Sequence, residues 1–200
     1  MTDETIHAQP LPKRPETGLQ AWLATVGYIS QEYSPDATLT MRASTDASGD
    51  VVWAAQATWG QNEEAVAAQA ALFMALRELW RVIDRAHTIF KSVEAATRRP
   101  ANYPNERWID EETQITLDQM IGVTMAAFAP DWRLIIVYQP LEDAQTRVQA
   151  RLLARLLANP DEEVHIGGRG PSIRAACQAL YRNAAPDYFA SIGRPLDYLA

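Results

Sequence analysis

The sequence predicts an α+β protein, with an antiparallel hairpin or three-stranded sheet packed by a long helix, followed by a βαβα-like second half. Residues 38–44 and 51–58 alternate polar and apolar side chains and flank a turn-forming segment at 46–50, which predicts a β-hairpin. Residues 62–90 repeat apolar side chains at helical spacing, which predicts the long helix. In the second half, the apolar run at 134–138 is typical of a strand buried on both faces.

Composition sets the broad class. The chain has 200 residues, 48% of them apolar and 22% charged, and a formal net charge of −7. These values are typical of a folded domain and argue against a surface that is basic everywhere. The single cysteine, Cys177, excludes an intrachain disulfide, and neither a signal peptide nor a long apolar span is evident. A cytoplasmic protein with no membrane partner is therefore expected.

Prolines and polar segments divide the chain into four parts. Residues 1–16 contain three prolines and no hydrophobic period, which predicts a mobile tail. An αβββα module is expected over residues 17–96, and a linker over 97–108, which holds Pro100 and Pro104. Residues 109–200 are then expected to form a second module that mixes helices and strands.

In the first module, apolar spacing predicts a short helix over 18–28, and a short strand is expected over 28–33. The hairpin follows. Asn62 is a plausible N-cap for the long helix, with Glu63 and Glu64 in its first turn, where the helix dipole favours acids.

In the second module, residues 115–128 are predicted to be helical and residues 134–138 to form a strand. Leucines at helical spacing predict a further helix over 143–158. A short strand at 163–166 then leads into the segment Gly167-Gly168-Arg169-Gly170 and a final helix near Pro171. The apolar end of the chain, 188–199, is expected to dock on the body.

Two short resemblances follow from these elements. The order helix, three strands, helix over 17–87 is similar to a double-stranded-RNA-binding domain, and the alanine-rich segment 65–72 looks like that family's second helix. Asn62, Glu63 and Glu64 stand where the family places lysines, so the resemblance implies the fold and a protein-binding descendant of it. Residues 166–173 resemble the I-G-x-x-G-x-x-I core of a KH domain, which implies a loop that clamps single-stranded nucleic acid.

Basic charge is concentrated in residues 77–105 and 164–200, and an anion site is expected within 77–105 or 144–182. On the predicted helix 143–158, arginines four residues apart would form a strip able to follow a row of phosphates. The glycine segment would present backbone N–H groups at a helix N-terminus. The alternatives are an ordinary solvated helix face and a tight turn that needs glycine. The predicted anion- or nucleic-acid-binding residues are Arg147, Arg151, Arg155, Gly167, Gly168, Arg169, Gly170, Ser172 and Arg174.

No constellation of catalytic residues, metal ligands or cofactor motifs stands out, so an enzyme is not favoured and no cofactor is expected. The leading hypothesis is a non-enzymatic binding or assembly module that recognises a protein partner or a second copy of itself. Nucleic-acid binding through the arginines and the glycine segment is the alternative. A third hypothesis is an enzyme or binder for a phosphorylated small molecule.

Overall fold

The computed structural model describes residues 36–86, 111–139, 143, 145–184 and 199. Within these ranges the chain forms six strands and three helices. In chain order they are β1 (Thr38–Thr45), β2 (Val51–Trp59), β3 (Asn62–Gln69), α1 (Leu72–Ala86), α2 (Glu111–Ala127), β4 (Arg133–Tyr138), β5 (Val148–Arg155), β6 (Glu163–Gly170) and α3 (Ile173–Asn183). No helix in this part of the chain combines the length and the apolar character needed to cross a membrane.

The six strands form one antiparallel sheet in the order β3-β2-β1-β4-β5-β6. Each half of the chain contributes three consecutive strands, and the halves meet where β1 pairs with β4. We call this pair the seam; in it Met41 lies opposite Ile136 and Arg42 opposite Ile135. The predicted α+β class is thus confirmed, and a continuous sheet joins the two halves.

Alternation along the strands gives the sheet two different faces. On one, the helical face, fully buried residues such as Leu39, Met41 and Ile136 belong to a single hydrophobic cluster that spans both halves. Helix α1 packs against β2 and β3, and α3 packs against β5, β6 and α2. The core therefore lies between the sheet and its helices, an arrangement that needs only one apolar side per strand.

The start of the predicted long helix is wrong, because residues 62–69 form β3 and the helix begins only at Leu72. Gly60 adopts a φ of +56°, and its N–H donates to a carboxylate oxygen of Asp36 at 3.0 Å. This turn reverses the chain directly after β2. Pairing along β2 then overrides the helix propensity of the alanines and glutamates in this segment. The segment 65–72, on which the resemblance to a double-stranded-RNA-binding domain partly depends, is therefore mostly strand, and the resemblance stays a prediction.

The predicted helix over 143–158 is also wrong, because Val148–Arg155 is strand β5. Its burial alternates strictly, with Val148, Ala150, Leu152 and Ala154 facing the core. Positions four apart share a face in a strand as well as in a helix, so the spacing fits both structures. The second half is therefore helix, three strands, helix rather than βαβα.

Four other predicted elements are present in the described ranges. The hairpin, the strand at 134–138, and the helices over 115–128 and after Pro171 are confirmed as β1–β2, β4, α2 and α3. Near the end of the chain Leu199 is fully buried. Residues 188–198, the rest of the segment expected to dock on the body, lie outside the described residues. The tail at 1–16, the helix at 18–28, the strand at 28–33 and the linker at 97–108 lie outside the described residues.

A candidate binding face

The second face of the sheet, which we call the open face, has none of the described helices packed on it. Its positions alternate with the buried ones, and their side chains are exposed or half-buried. Five of them are arginines, one is a histidine and two are acids: Arg42, Arg133, Arg151, Arg155 and Arg169, then His165, against Glu63 and Glu163. The Nε2 atom of His165 lies 3.7 Å from Oε1 of Glu163. In a protein with a net charge of −7, this face is locally basic.

Three of these arginines form a straight row across three strands. Arg133 on β4 pairs with Leu153, and Arg151 lies two residues from Leu153 on β5. Arg151 in turn pairs with Gly167, and Arg169 lies two residues further along β6. Diagonal neighbours of this kind are about 7–8 Å apart in an antiparallel sheet. We call Arg133, Arg151 and Arg169 the arginine diagonal.

Apolar side chains flank the arginine diagonal. Ile135 lies between Arg42 and Arg151 in the same cross-strand row, and Leu153 lies between Arg133 and His165 in the next row. Ile135 and Leu153 are half-buried. The face thus combines positive charge with aliphatic surface. None of its positions holds an aromatic residue, because Trp53 and Trp59 lie on the helical face and are 5% and 3% exposed.

No residue of the arginine diagonal forms a carboxylate ion pair within the described ranges. Asp131, whose pKa is lowered first by Arg155 and further by Arg133, is the carboxylate near one end of the diagonal. Arg151 donates from Nη2 to Oε1 of Gln149 at 2.8 Å, which is a neutral partner. Among the described residues no carboxylate forms an ion pair with Arg42, Arg133 or Arg169. These side chains are therefore available for an external anion.

Arg155, at the end of β5, is different because it is already paired. Its Nε donates to Oδ2 of Asp131 at 2.7 Å, and its Nη2 donates to the same oxygen. The hydrogen bond from Arg155 lowers the pKa of Asp131, and the same contact raises the pKa of Arg155. Asp161 and Glu163 lie close enough to add to this field. This end of the open face is therefore not basic.

The predicted anion-binding residues are only partly brought together. Arg151, Arg155, Gly167 and Arg169 lie on the open face of β5 and β6. Arg147 precedes β5, where its Nε donates to the carbonyl of Pro171 at 3.3 Å and its guanidinium carbon lies 6.0 Å from the ring centre of Tyr138. It therefore ties the approach to β5 to the start of α3.

Gly168 and Gly170 lie on the helical face, and the glycine segment is part of β6 rather than a loop. A Cβ at Gly168 would lie 2.1 Å from the backbone nitrogen of Leu180, and one at Gly170 would lie 2.7 Å from the Cβ of Ala175. These glycines let α3 approach the sheet closely, and neither has a positive φ. The expectation of a loop that cradles an anion is wrong for this segment, and so is the loop implied by the KH resemblance.

Ser172 and Arg174 make hydrogen bonds and ion pairs at the N-terminus of helix α3. The Ser172 side chain is its N-cap and accepts a hydrogen bond from the N–H of Ala175 at 3.2 Å. Arg174 forms an ion pair with Glu112, which joins the N-terminal turns of α3 and α2. The hydroxyl and the guanidinium predicted to receive an anion thus have structural partners.

Two basic residues of the open face, Arg42 and Arg133, lie outside the ranges in which an anion site was expected. Arg42 is recognisable in the sequence on the polar side of the alternating segment 38–44. Its position beside Ile135 and Arg151 depends on the pairing of β1 with β4, whose partners are 89 to 99 residues apart in sequence. No local pattern encodes that pairing. Arg133 precedes a run of apolar residues and carries no signal of its own.

Two kinds of catalytic group, a metal centre and a reactive cysteine, are absent from the described residues. They contain no group of three or more histidine, cysteine or acidic side chains able to hold a metal ion. Cys177 is fully buried, and burial raises the pKa of its thiol to about 12. The thiolate needed for nucleophilic attack is therefore not populated near neutral pH.

Fold and site together define an α+β protein whose sheet is covered by helices on one face and presents a basic, partly aliphatic surface on the other. No known family model matches the chain, and the search of curated proteins gave no significant match.

Proposed function

We propose that this protein is a non-enzymatic binding module that uses its open face to hold a protein segment in which acidic side chains lie next to apolar ones. The observation that carries this proposal is the arginine diagonal, whose side chains form no carboxylate ion pair within the described ranges and lie beside Ile135 and Leu153. A sheet face supplies a rigid support for such contacts, because each side chain is fixed by its register.

Both kinds of contact contribute to recognition. Carboxylates placed near the arginine diagonal would form charge-assisted hydrogen bonds, which are stronger than those between neutral groups. Apolar side chains of the partner would remove Ile135 and Leu153 from water, at about 25 cal/mol for each Å² of apolar surface. Charge complementarity would then favour acidic partners over basic ones.

Nucleic acid is the second candidate, supported by the regular spacing of the arginine diagonal. Proteins that bind single strands combine such charge with aromatic side chains that stack on the bases. The open-face positions described above carry no aromatic residue, and the whole chain has a net charge of −7. A protein partner is therefore favoured.

The proposal is tested with two labelled peptides of equal length, one alternating glutamate with leucine and the other lysine with leucine. Fluorescence anisotropy should show binding of the acidic peptide only. The double variant Arg151→Glu, Arg169→Glu should weaken binding at least about tenfold, or ~1.4 kcal/mol. The matched control is Arg81→Glu, Arg182→Glu, which makes the same charge change on helices α1 and α3 and should leave the affinity unchanged.

A labelled single-stranded oligonucleotide is measured in parallel, over a range of salt concentrations. The oligonucleotide could bind more tightly than the acidic peptide and lose that binding in the Arg151→Glu, Arg169→Glu variant. That result would replace this proposal with the nucleic-acid one. Equal binding of both peptides, or equal loss in the control variant, would contradict a specific role for the open face.

A further inference from the structure

One end of the molecule exposes large apolar side chains beside acids. Within the described ranges, Leu157 and Met125 are the two most exposed large apolar residues, at 59% and 46%. Leu157 lies beside the C-terminal turn of α2, which also carries Met125, because the N–H of Leu157 donates to the carbonyl of Ala127 at 3.3 Å. Asp161 and Glu162 follow in the same β5–β6 turn and are exposed. We call Met125, Leu157, Asp161 and Glu162 the corner.

The turn that carries the corner is a defined structure. The N–H of Leu156 donates to the carbonyl of Glu162 at 3.2 Å, and the N–H of Asn159 donates to the carbonyl of Leu156 at 3.2 Å. A third bond joins the N–H of Glu162 to the carbonyl of Asn159 at 3.0 Å. Because the turn is already ordered, binding through it loses little conformational entropy.

The corner has the chemistry that the proposed function assigns to a partner, namely exposed apolar side chains next to carboxylates. Leu157, Asp161 and Glu162 are fixed in the turn that joins β5 to β6, at the Arg155 end of the open face. We infer that the partner held by the open face is the corner of a second copy of this protein. This inference rests on the proposed function and specifies its ligand.

Charge decides how two copies would meet. A symmetric contact of two corners would place Asp161 and Glu162 against the same acids of the other copy. A symmetric contact of two open faces would place the arginine diagonals against each other. Like charges in contact are unfavourable, whereas corner against open face pairs opposite charges. The contact is therefore head-to-tail, and it builds rings where the rotation closes and filaments where it does not.

The first test is sedimentation velocity over a concentration series. The sedimentation coefficient should rise with protein concentration beyond that of a dimer, and should return to that of a monomer when added salt screens the ion pairs. A monomer at all concentrations up to about 1 mM would overturn the inference, because a contact with a millimolar Kd would be half formed there.

The second test separates the two surfaces. The face variant carries Arg151→Glu and Arg169→Glu, and the corner variant carries Leu157→Ser, Asp161→Asn and Glu162→Gln. Each alone should be a monomer. Mixed in equal amounts, they should form a heterodimer that does not grow, because only the intact corner of one and the intact open face of the other remain. The control Arg81→Glu, Arg182→Glu should assemble like the original protein.

Other outcomes contradict the inference in distinct ways. If the corner variant assembles as the original protein does, or if the mixture contains no heterodimer, the corner is not the ligand. If the corner variant assembles by itself and the face variant does not, the contact is a symmetric one between two open faces. If the acidic peptide binds the open face but no assembly occurs, the proposed function stands and only this inference fails.

Discussion

At position 168, hydrogen is the only side chain that fits beneath α3. A Cβ there would lie 2.1 Å from the nitrogen of Leu180 and 2.3 Å from the carbonyl oxygen of Ala176, and both are backbone atoms of a helix that must move as a unit. We expect Gly168→Ala to lower the free energy of unfolding by about 3 kcal/mol. Urea unfolding provides the measurement.

The adjacent glycine supplies the control. Gly167 lies on the open face, where the nearest atom to an added Cβ is a carbonyl oxygen at 3.9 Å. Gly167→Ala should therefore change the free energy of unfolding by less than about 1 kcal/mol, since it adds a side chain without a clash. Equal losses for the two variants would contradict the close approach of α3.

The contact of Asp131 with Arg155 predicts a pH dependence. The hydrogen bond from Arg155 lowers the pKa of Asp131 in the folded protein, so the folded state favours the ionised carboxylate. The resulting stability is present above the ordinary pKa of an aspartate, about 3.9, and is lost as the pH falls through the lower pKa of the folded state. Asp131 and Arg155 are 45% and 50% exposed, so the effect is small.

Unfolding in urea at several pH values below neutral measures this effect. The original protein should lose slightly more stability on acidification than Asp131→Asn, which has no carboxylate to protonate. The double variant Asp131→Asn, Arg155→Gln should have the same acid dependence as Asp131→Asn alone. A steeper acid loss in Asp131→Asn than in the original protein would reverse the sign and contradict the assignment.

At the scale of single elements, the stability of α3 depends on the residue that caps its N-terminus. Ser172 accepts a hydrogen bond from the N–H of Ala175, which otherwise has no partner within the helix. Ser172→Ala should lower the free energy of unfolding by about 1 kcal/mol, whereas Ser172→Asp should retain most of the stability because it also caps helices. Thermal unfolding of the two variants distinguishes them. No loss of stability in Ser172→Ala would show that the cap contributes nothing, and an equal loss in both would assign the loss to another cause.

Single elements also show where a sequence pattern is sufficient to predict secondary structure and where it is not. The hairpin is readable because polar and apolar residues alternate on both sides of a turn that contains Asp46 and Gly49, a pattern that no helix satisfies. The sequence predicts a helix at β5 because Val148, Leu152 and Leu156 repeat every four residues, a spacing compatible with both structures. The sequence does not predict strand β3, because its alanines and glutamates favour a helix and only pairing with β2 makes them a strand.

At the scale of the whole molecule, the seam determines whether the halves are independent. Ile136 is fully buried where β4 meets β1, and the core on either side of it belongs to one cluster. Ile136→Ala should lower the free energy of unfolding by about 2–5 kcal/mol. Because both halves share this core, hydrogen exchange should accelerate in β2 as well as in β5.

Val137 supplies a comparison on the same strand. It faces the open side and is half-buried, so Val137→Ala should have a smaller effect than Ile136→Ala. Reactivity of the buried Cys177 toward a thiol reagent gives an independent measure of unfolding in the second half. If hydrogen exchange in the Ile136→Ala variant is faster only in β5 and its neighbouring elements, the two halves unfold separately.

The sequence by itself determined the α+β class, the hairpin, β4, α2 and α3, because each of these depends on neighbouring residues with a single compatible period. It also pointed to Arg151, Arg155 and Arg169 as members of a basic region. Only the tertiary structure placed Arg133 and Arg42 beside them. It also placed Gly168 and Gly170 on the opposite face of the sheet, against α3. Ser172 and Arg174 have partners in or next to α3 instead of lying on the basic surface. The reason is physical: which side chains share a sheet face depends on strand pairing between distant segments, and long-range pairing leaves no local period in the sequence.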